Sequence, residues 1–309
     1  MCARSFIVIV VSTAVAACAT SPDAGHGAAA SSSAGTVTSQ GSGKATAAAT
    51  GGAASGPGAE TDQGTVSSGA TTATGTTGTS TTDGTGGAGA RLPAEILNLD
   101  DWKLTLPVGD PGDPQEVLQP ALSTFVLPPF FHPAPGGDAV VFRAPVGGAT
   151  TSGSSYPRSE LREMTAGGAE KAAWSTTEGT HTMEITQAVT ATPPVKPHVV
   201  AGQIHDANDD VVMIRLEGPR LFVEAEGTEV EVLDPGYVLG TPFRVKIEAT
   251  AGFISIFYED MLTPKVVLPR DRDGCYFKAG VYTQSNPSKG DAPDAYGEVW
   301  IYDLTVTHG

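Results

Sequence analysis

From Trp102 to Thr307 the chain keeps returning to one pattern: a short run of alternating polar and apolar residues, then a turn. Alternating side chains lie on opposite faces of a strand, so each run offers one face to a core and the other to solvent or a ligand. Such runs occupy Trp102–Leu106, Ala139–Ala144, His181–Val189, Val199–His205, Val211–Leu216 and Arg220–Glu226. They continue at Glu229–Leu233, Phe243–Ala249, Phe253–Tyr258, Lys265–Leu268, Tyr276–Gln284 and Glu298–Thr307. Asp234-Pro235-Gly236 is a turn with the residues a turn requires. Helical signals are confined to Pro93–Leu97 and Leu118–Thr124, and Pro107–Pro114 reads as a loop. About a dozen short strands with turn chemistry between them predict an all-β fold, an antiparallel sandwich or jelly roll.

Only part of the chain can fold this way. Residues 1–18 begin with Arg4, run through an apolar Phe6–Val11 and end at Val15-Ala16-Ala17-Cys18. The apolar run is too short to span a membrane and reads as a secretory signal. Its end resembles a bacterial lipobox, in which cleavage precedes a cysteine that is then lipidated, so Cys18 is the expected lipidation site. Residues 19–90 are Gly, Ser, Thr and Ala with almost no large apolar side chain. Such a segment buries too little surface to offset its ordering entropy and is expected to be a disordered linker. About 70 flexible residues span roughly 45 Å. The protein is therefore expected to be exported, as a lipoprotein on a bacterial membrane facing the periplasm or cell surface, or else as a secreted protein. Residues 91–309 remain for one folded, monomeric domain. Its single cysteine, Cys275, excludes an intrachain disulfide there and is expected to be a small core residue.

The folding part holds 16 of the 18 Lys and Arg but 30 of the 34 Asp and Glu. No basic stripe appears, which argues against a nucleic-acid partner. An anionic ligand is still admissible, because the local field of a groove outweighs net charge. Three segments carry chemically dense polar faces. In Tyr276–Gln284, period two puts Lys278, Gly280, Tyr282 and Gln284 on one side and Phe277, Ala279, Val281 and Thr283 on the other. In Tyr156–Glu163 it groups Arg158, Glu160 and Arg162 opposite Leu161. In Gln203-Ile204-His205 the outer two share a face and Ile204 points inward. Each face alone fits a solvated strand equally well. Together they supply what β-elimination on a uronate polymer requires. Donors must neutralise the C6 carboxylate so that the C5 proton becomes acidic, a base must take that proton, and an acid must protonate the departing O4. On this reading Gly280 leaves clearance for a sugar ring.

The ordered motifs Arg158-Ser159-Glu160-Leu161-Arg162, Gln203-Ile204-His205 and Tyr276–Gln284 resemble those of the alginate lyases of polysaccharide lyase family 7. Trp102–Pro107 and the stretch from Ala144 to Pro157 are family-like too, so the resemblance covers nearly all of 91–309 and none of the linker. It implies a concanavalin-like β-jelly roll with an open concave cleft. It implies that Tyr282 is the catalytic acid and, for some linkages, also the base. His205 is then base or neutralising partner, and Arg158 and Gln203 hold the uronate carboxylate. Lys278, Glu160 and Arg162 match cleft positions, for substrate binding or for orienting the catalytic groups, and Gln284 and Tyr156 are further substrate-binding candidates. The implied mechanism uses no metal or cofactor. In this family the Ile form of the Gln-x-His motif accompanies guluronate-containing blocks, which favours polyguluronate or mixed blocks; the leading expectation is an endo-acting lyase.

Competing motifs are weaker. Asp206–Asp210 has acidic spacing but lacks the Gly and distal Glu of a calcium-binding EF-hand, so a solvated turn is expected. His181, His198 and His205 lack zinc spacing. Glu160 and Glu163 fall on opposite strand faces, so they cannot form the carboxylate pair of a glycosidase. The rivals left are a lyase for another polyuronate such as glucuronan, and a non-catalytic carbohydrate-binding module.

Overall fold

The computed structural model describes residues 91–309; the expected signal peptide, Cys18 and the linker lie outside them. The described residues form sixteen strands: β1 (Trp102–Asp110), β2 (Asp113–Val117), β3 (Phe131–Pro133), β4 (Val140–Pro145), β5 (Arg158–Thr165), β6 (Glu170–Lys171), β7 (Thr180–Ala191) and β8 (His198–His205). There follow β9 (Asp210–Glu217), β10 (Arg220–Ala225), β11 (Thr228–Asp234), β12 (Phe243–Thr250), β13 (Phe253–Tyr258), β14 (Val266–Pro269), β15 (Tyr276–Thr283) and β16 (Tyr296–His308). They build two antiparallel sheets. One runs β11-β10-β9-β8-β15-β5-β1-β2, with β6 on β5; the other runs β14-β13-β12-β7-β16-β4-β3. This is a β-jelly roll.

The alternation predicted for the motif strands is what packs the two sheets together. Phe277, Ala279 and Val281 of β15, Leu161 of β5 and Ile204 of β8 are fully buried. They belong to the same core cluster as Phe142, Val299 and Ile301 of the second sheet. Each fully buried Leu, Ile or Phe contributes about 1.5–3 kcal/mol by leaving water. A one-residue slip of β15 would turn Lys278 and Tyr282 into this core, so the apolar face holds the register.

Two expectations need correction. Pro107–Pro114 is not a loop: β1 continues to Asp110 and pairs with β2, with a register shift between Thr105 and Gly109. Pro114 is tolerated because β2 is the edge of its sheet, where a missing N–H breaks no outer ladder. The two helical stretches are single 3-10 turns, Pro93–Glu95 and Ala121–Thr124. Cys275 is a buried free thiol, pushed up to about 12 by burial.

Candidate active site

The three motifs, far apart in sequence, occupy adjacent strands at the centre of the larger sheet. β15 lies between β8 and β5, and its partners are Tyr276 with His205, Lys278 with Gln203 and Arg162, Gly280 with Glu160, and Tyr282 with Arg158. Directly opposed residues have Cβ atoms about 4.5–5.5 Å apart. The outer faces of these strands therefore merge into one polar surface. With β1 and the loops at 151–154 and 207–210, it lines a groove of about 490 Å³ containing Arg158, Arg162, Gln203, His205, Lys278 and Tyr282.

Glu160 is the hub of this surface. It is 2% exposed, and its carboxylate accepts from Arg158 Nη1 at 3.0 Å, from Lys278 Nζ at 2.7 Å and from Gln203 Nε2. Burial opposes its charge, but Lys278 and Arg158, together with the hydrogen bonds from Lys278 and Gln203, hold its carboxyl below the usual range. With its oxygens engaged, Glu160 holds these three donors in place. Those donors keep capacity to spare. The ammonium of Lys278 has two more hydrogens and the Gln203 amide one more. Arg158 Nε is buried without a partner among the described residues. Burial pulls Lys278 down to about 8, with Glu160 resisting.

His205 is presented in one tautomer. Its Nδ1 lies 2.6 Å from the Asp206 carbonyl oxygen, which can only accept, so Nδ1 carries the proton and Nε2 is left bare in the neutral ring. Burial lowers the pKa of the imidazole; Lys278 and Arg158 push the same way, while the Asp206 carbonyl and Glu160 resist. A neutral imidazole with a bare Nε2 can accept a proton. Tyr276 stacks on the ring with centroids 5.4 Å apart, its hydroxyl 3.2 Å from Nδ1, and the Arg162 guanidinium lies 3.9 Å over the other aromatic ring. Arg162 is further tied to the Glu163 and Ala172 carbonyls. It braces the wall of the groove.

Tyr282 is framed on two sides. The Arg158 guanidinium sits 3.9 Å over its ring, and its hydroxyl is 2.8 Å from Ser154 Oγ. Tyr156 meets the Tyr282 ring edge-on at 6.3 Å and accepts a hydrogen bond from Lys196 Nζ at 3.1 Å. Gln284 lies beyond the end of β15, is 7% exposed and is absent from the groove lining; its backbone N–H donates to the His198 carbonyl. Ile204 faces the core, as its period predicts.

Gly280 has a different reason from the one expected. Its φ is +132°, and a Cβ there would lie 2.5 Å from the Ser159 carbonyl oxygen and 3.0 Å from the Phe142 ring. That direction is into β5 and the core, not into the groove. The β15–β8 register shifts between Ala279 and Tyr282, and this irregularity turns the glycine.

Tyr276 shares the polar face of β15 by period two and was legible in the sequence, though not singled out as a site residue. Ser154 lies on a loop, where no periodicity could mark it. Asp206, Asn208 and Asp209 form the expected turn at the rim, with the Asp206 carboxylate accepting both following N–H groups. Burial and the neighbouring Asp209 raise Asp210, beside this turn, to about 6.

An open groove across a sheet, walled by cations and phenols, defines a protein that handles a chain-like polyanion. The sequence model of the family described as alginate lyase matches residues 97–308, and the chain belongs to the alginate lyases of polysaccharide lyase family 7. It is 56% identical to the family 7 alginate lyase AlgAT5, over 71% of this chain and 100% of that one, with a TM-score of 0.69. It is 46% identical to the alginate lyase from Corynebacterium sp., over 71% and 99%, with a TM-score of 0.68. The family 7 alginate lyase A1-II', solved as a variant in complex with the substrate GGMG, is 26% identical over 71% and 97%, with a TM-score of 0.60.

Proposed function

We propose that this alginate lyase cleaves 1,4-linked uronate chains by β-elimination, leaving an unsaturated uronate at the new non-reducing end. Arg158, Gln203 and Lys278 neutralise the C6 carboxylate and stabilise the enolate-like intermediate. The C5 proton goes to a base, the C5 electron pair forms the C4=C5 bond, the C4–O4 bond breaks, and O4 takes a proton from Tyr282. For guluronate the C5 proton lies opposite O4, which suits two separate groups, His205 Nε2 as base and Tyr282 as acid. For mannuronate both lie on one side, where Tyr282 serves both steps. The complex of A1-II' with GGMG supports guluronate-containing chains as substrate, and the open groove supports endo-action.

The observation that carries this reading is that His205, with its Nδ1 engaged by the Asp206 carbonyl, lines the same groove as Tyr282 and the donors gathered on Glu160. The test is to incubate the 91–309 fragment with polyguluronate, polymannuronate and glucuronan, following ultraviolet absorbance of the new double bond and product length. Polyguluronate or mixed blocks should be cut fastest, with early products of many lengths. Tyr282→Phe should lose about 10²–10⁴-fold in kcat, the usual contribution of a positioned acid. Absence of unsaturated product from every polymer would end the proposal, and binding without turnover would favour a carbohydrate-binding module.

We also propose that the chain is exported and anchored as a monomeric lipoprotein through Cys18. Cys18→Ser should release the protein from the membrane fraction of a bacterial host; continued membrane retention would refute the anchor.

A further inference from the structure

We infer that Ser154 is a positioning residue for Tyr282, one whose hydroxyl reverses its hydrogen bond to the phenol oxygen as Tyr282 gives up its proton. This rests on the lyase reading above. Ser154 Oγ has one hydrogen and two lone pairs. The Tyr156 N–H donates to it at 3.1 Å, and two acceptors compete for its hydrogen: the Tyr156 carbonyl at 3.1 Å and the Tyr282 oxygen at 2.8 Å. While Tyr282 is protonated, the serine hydrogen can rest on the carbonyl and the phenol can donate to Oγ. When the phenol proton passes to O4, taking up the electron pair of the broken C4–O4 bond, a phenolate remains. Rotation of one C–O bond then lets Ser154 donate to it. No proton enters or leaves the serine.

The direction of the effect follows from charge. A hydrogen bond to an ionised acceptor is about twice as strong as one between neutral groups. The Ser154 contact is therefore stronger after proton transfer than before it, and an interaction that strengthens along the reaction lowers the barrier. Arg158 over the ring acts in the same sense from the other side. The serine is held in place for this. Asn286 Nδ2 donates to the neighbouring Ser155 carbonyl at 3.1 Å, pinning the loop to the segment that follows β15.

The experiment measures kcat and KM against pH for the full chain and for Ser154→Ala and Ser154→Thr, on polyguluronate and polymannuronate. Circular dichroism melts check that each variant is folded. Ser154→Ala should lower kcat about ten- to a hundredfold with KM within about twofold. The alkaline limb of kcat should move to higher pH, because the phenolate loses a donor. Ser154→Thr, which keeps the hydroxyl, should recover both. A folded Ser154→Ala with unchanged kcat and an unmoved limb would overturn the inference. So would a loss of kcat that threonine does not restore and that leaves the limb in place. Failure of the wild-type protein to make unsaturated product would instead refute the lyase reading itself.

Discussion

Glu160 and Glu163 stand three residues apart on β5, and both are 2% exposed. Their environments teach opposite lessons. Glu160 faces the groove and gathers a lysine, an arginine and an amide whose remaining hydrogens point to work on a ligand. Glu163 faces the other way, at the end of the sandwich. It accepts the Trp174 indole N–H at 3.0 Å and the Phe277 backbone N–H at 2.8 Å, and pairs with His308 at 2.6 Å. His308 in turn meets His181 at 2.7 Å. Every partner of Glu163 is structural, tying β5 to β15 and β16. Burial of a carboxylate thus does not mark a site. What its partners can still do distinguishes the two.

The sharpest test of that contrast is Glu160→Ala. It leaves Lys278 and Arg158 buried without their shared counter-ion, a change of about 3–5 kcal/mol when one member of a buried pair is removed. Much of this should appear as a loss of kcat/KM of roughly a hundredfold or more, measured on alginate with the folded fraction checked by circular dichroism. Wild-type activity would break the comparison.

Gly280→Ala should act next most strongly, and on stability. Strained backbone costs about 1–3 kcal/mol and overpacking adds a similar amount. A chemical denaturation curve should show the loss, and little loss would restore the idea of a glycine kept for sugar clearance. Glu163→Gln can keep its amide oxygen for both N–H partners, which share Oε2, but loses the charged oxygen that faces His308. A loss of about 1–3 kcal/mol is expected, as a lowered Tm with kcat on folded protein unchanged. A selective fall in kcat would place Glu163 among the functional groups after all.

The smallest effect concerns pH. Lys278 titrates near 8 in the folded protein against an ordinary 10.5. Between those values the unfolded chain binds more protons, so this group makes stability rise with pH across the window. The groove meanwhile loses a positive charge, and KM for a polyuronate should rise as pH passes about 8. Lys278→Arg keeps its charge throughout and should flatten that rise; an unaltered KM profile would separate Lys278 from substrate binding. Glu160, also lowered, acts in the same direction in a more acidic window: its contribution is present above the ordinary carboxylate value and lost as pH falls through its lowered one.

The faces of β5, β8 and β15 were legible because period two is a local property, and alternation assigned Arg158, Gln203, His205, Lys278 and Tyr282 to one side and Ile204, Leu161 and Phe277 to the other. The same rule failed at Gln284, where β15 ends at Thr283 and alternation no longer governs. The loop expected at Pro107–Pro114 failed for another reason: Pro114 sits on the edge strand β2, which admits a proline that a central strand would not.

The sequence by itself therefore determined the all-β fold class, which side chains share a face, and the family its motifs resemble. Tertiary structure alone decided that β15 lies between β8 and β5, which turns three polar faces into one groove. It also set the His205 tautomer through the Asp206 carbonyl, the turning of Gly280 into the core, and the meeting of Ser154 with Tyr282 across 128 residues. The reason is range. Alternation is written in neighbouring residues, whereas strand order, register and loop contacts depend on segments far apart in the chain, whose meeting no local pattern encodes.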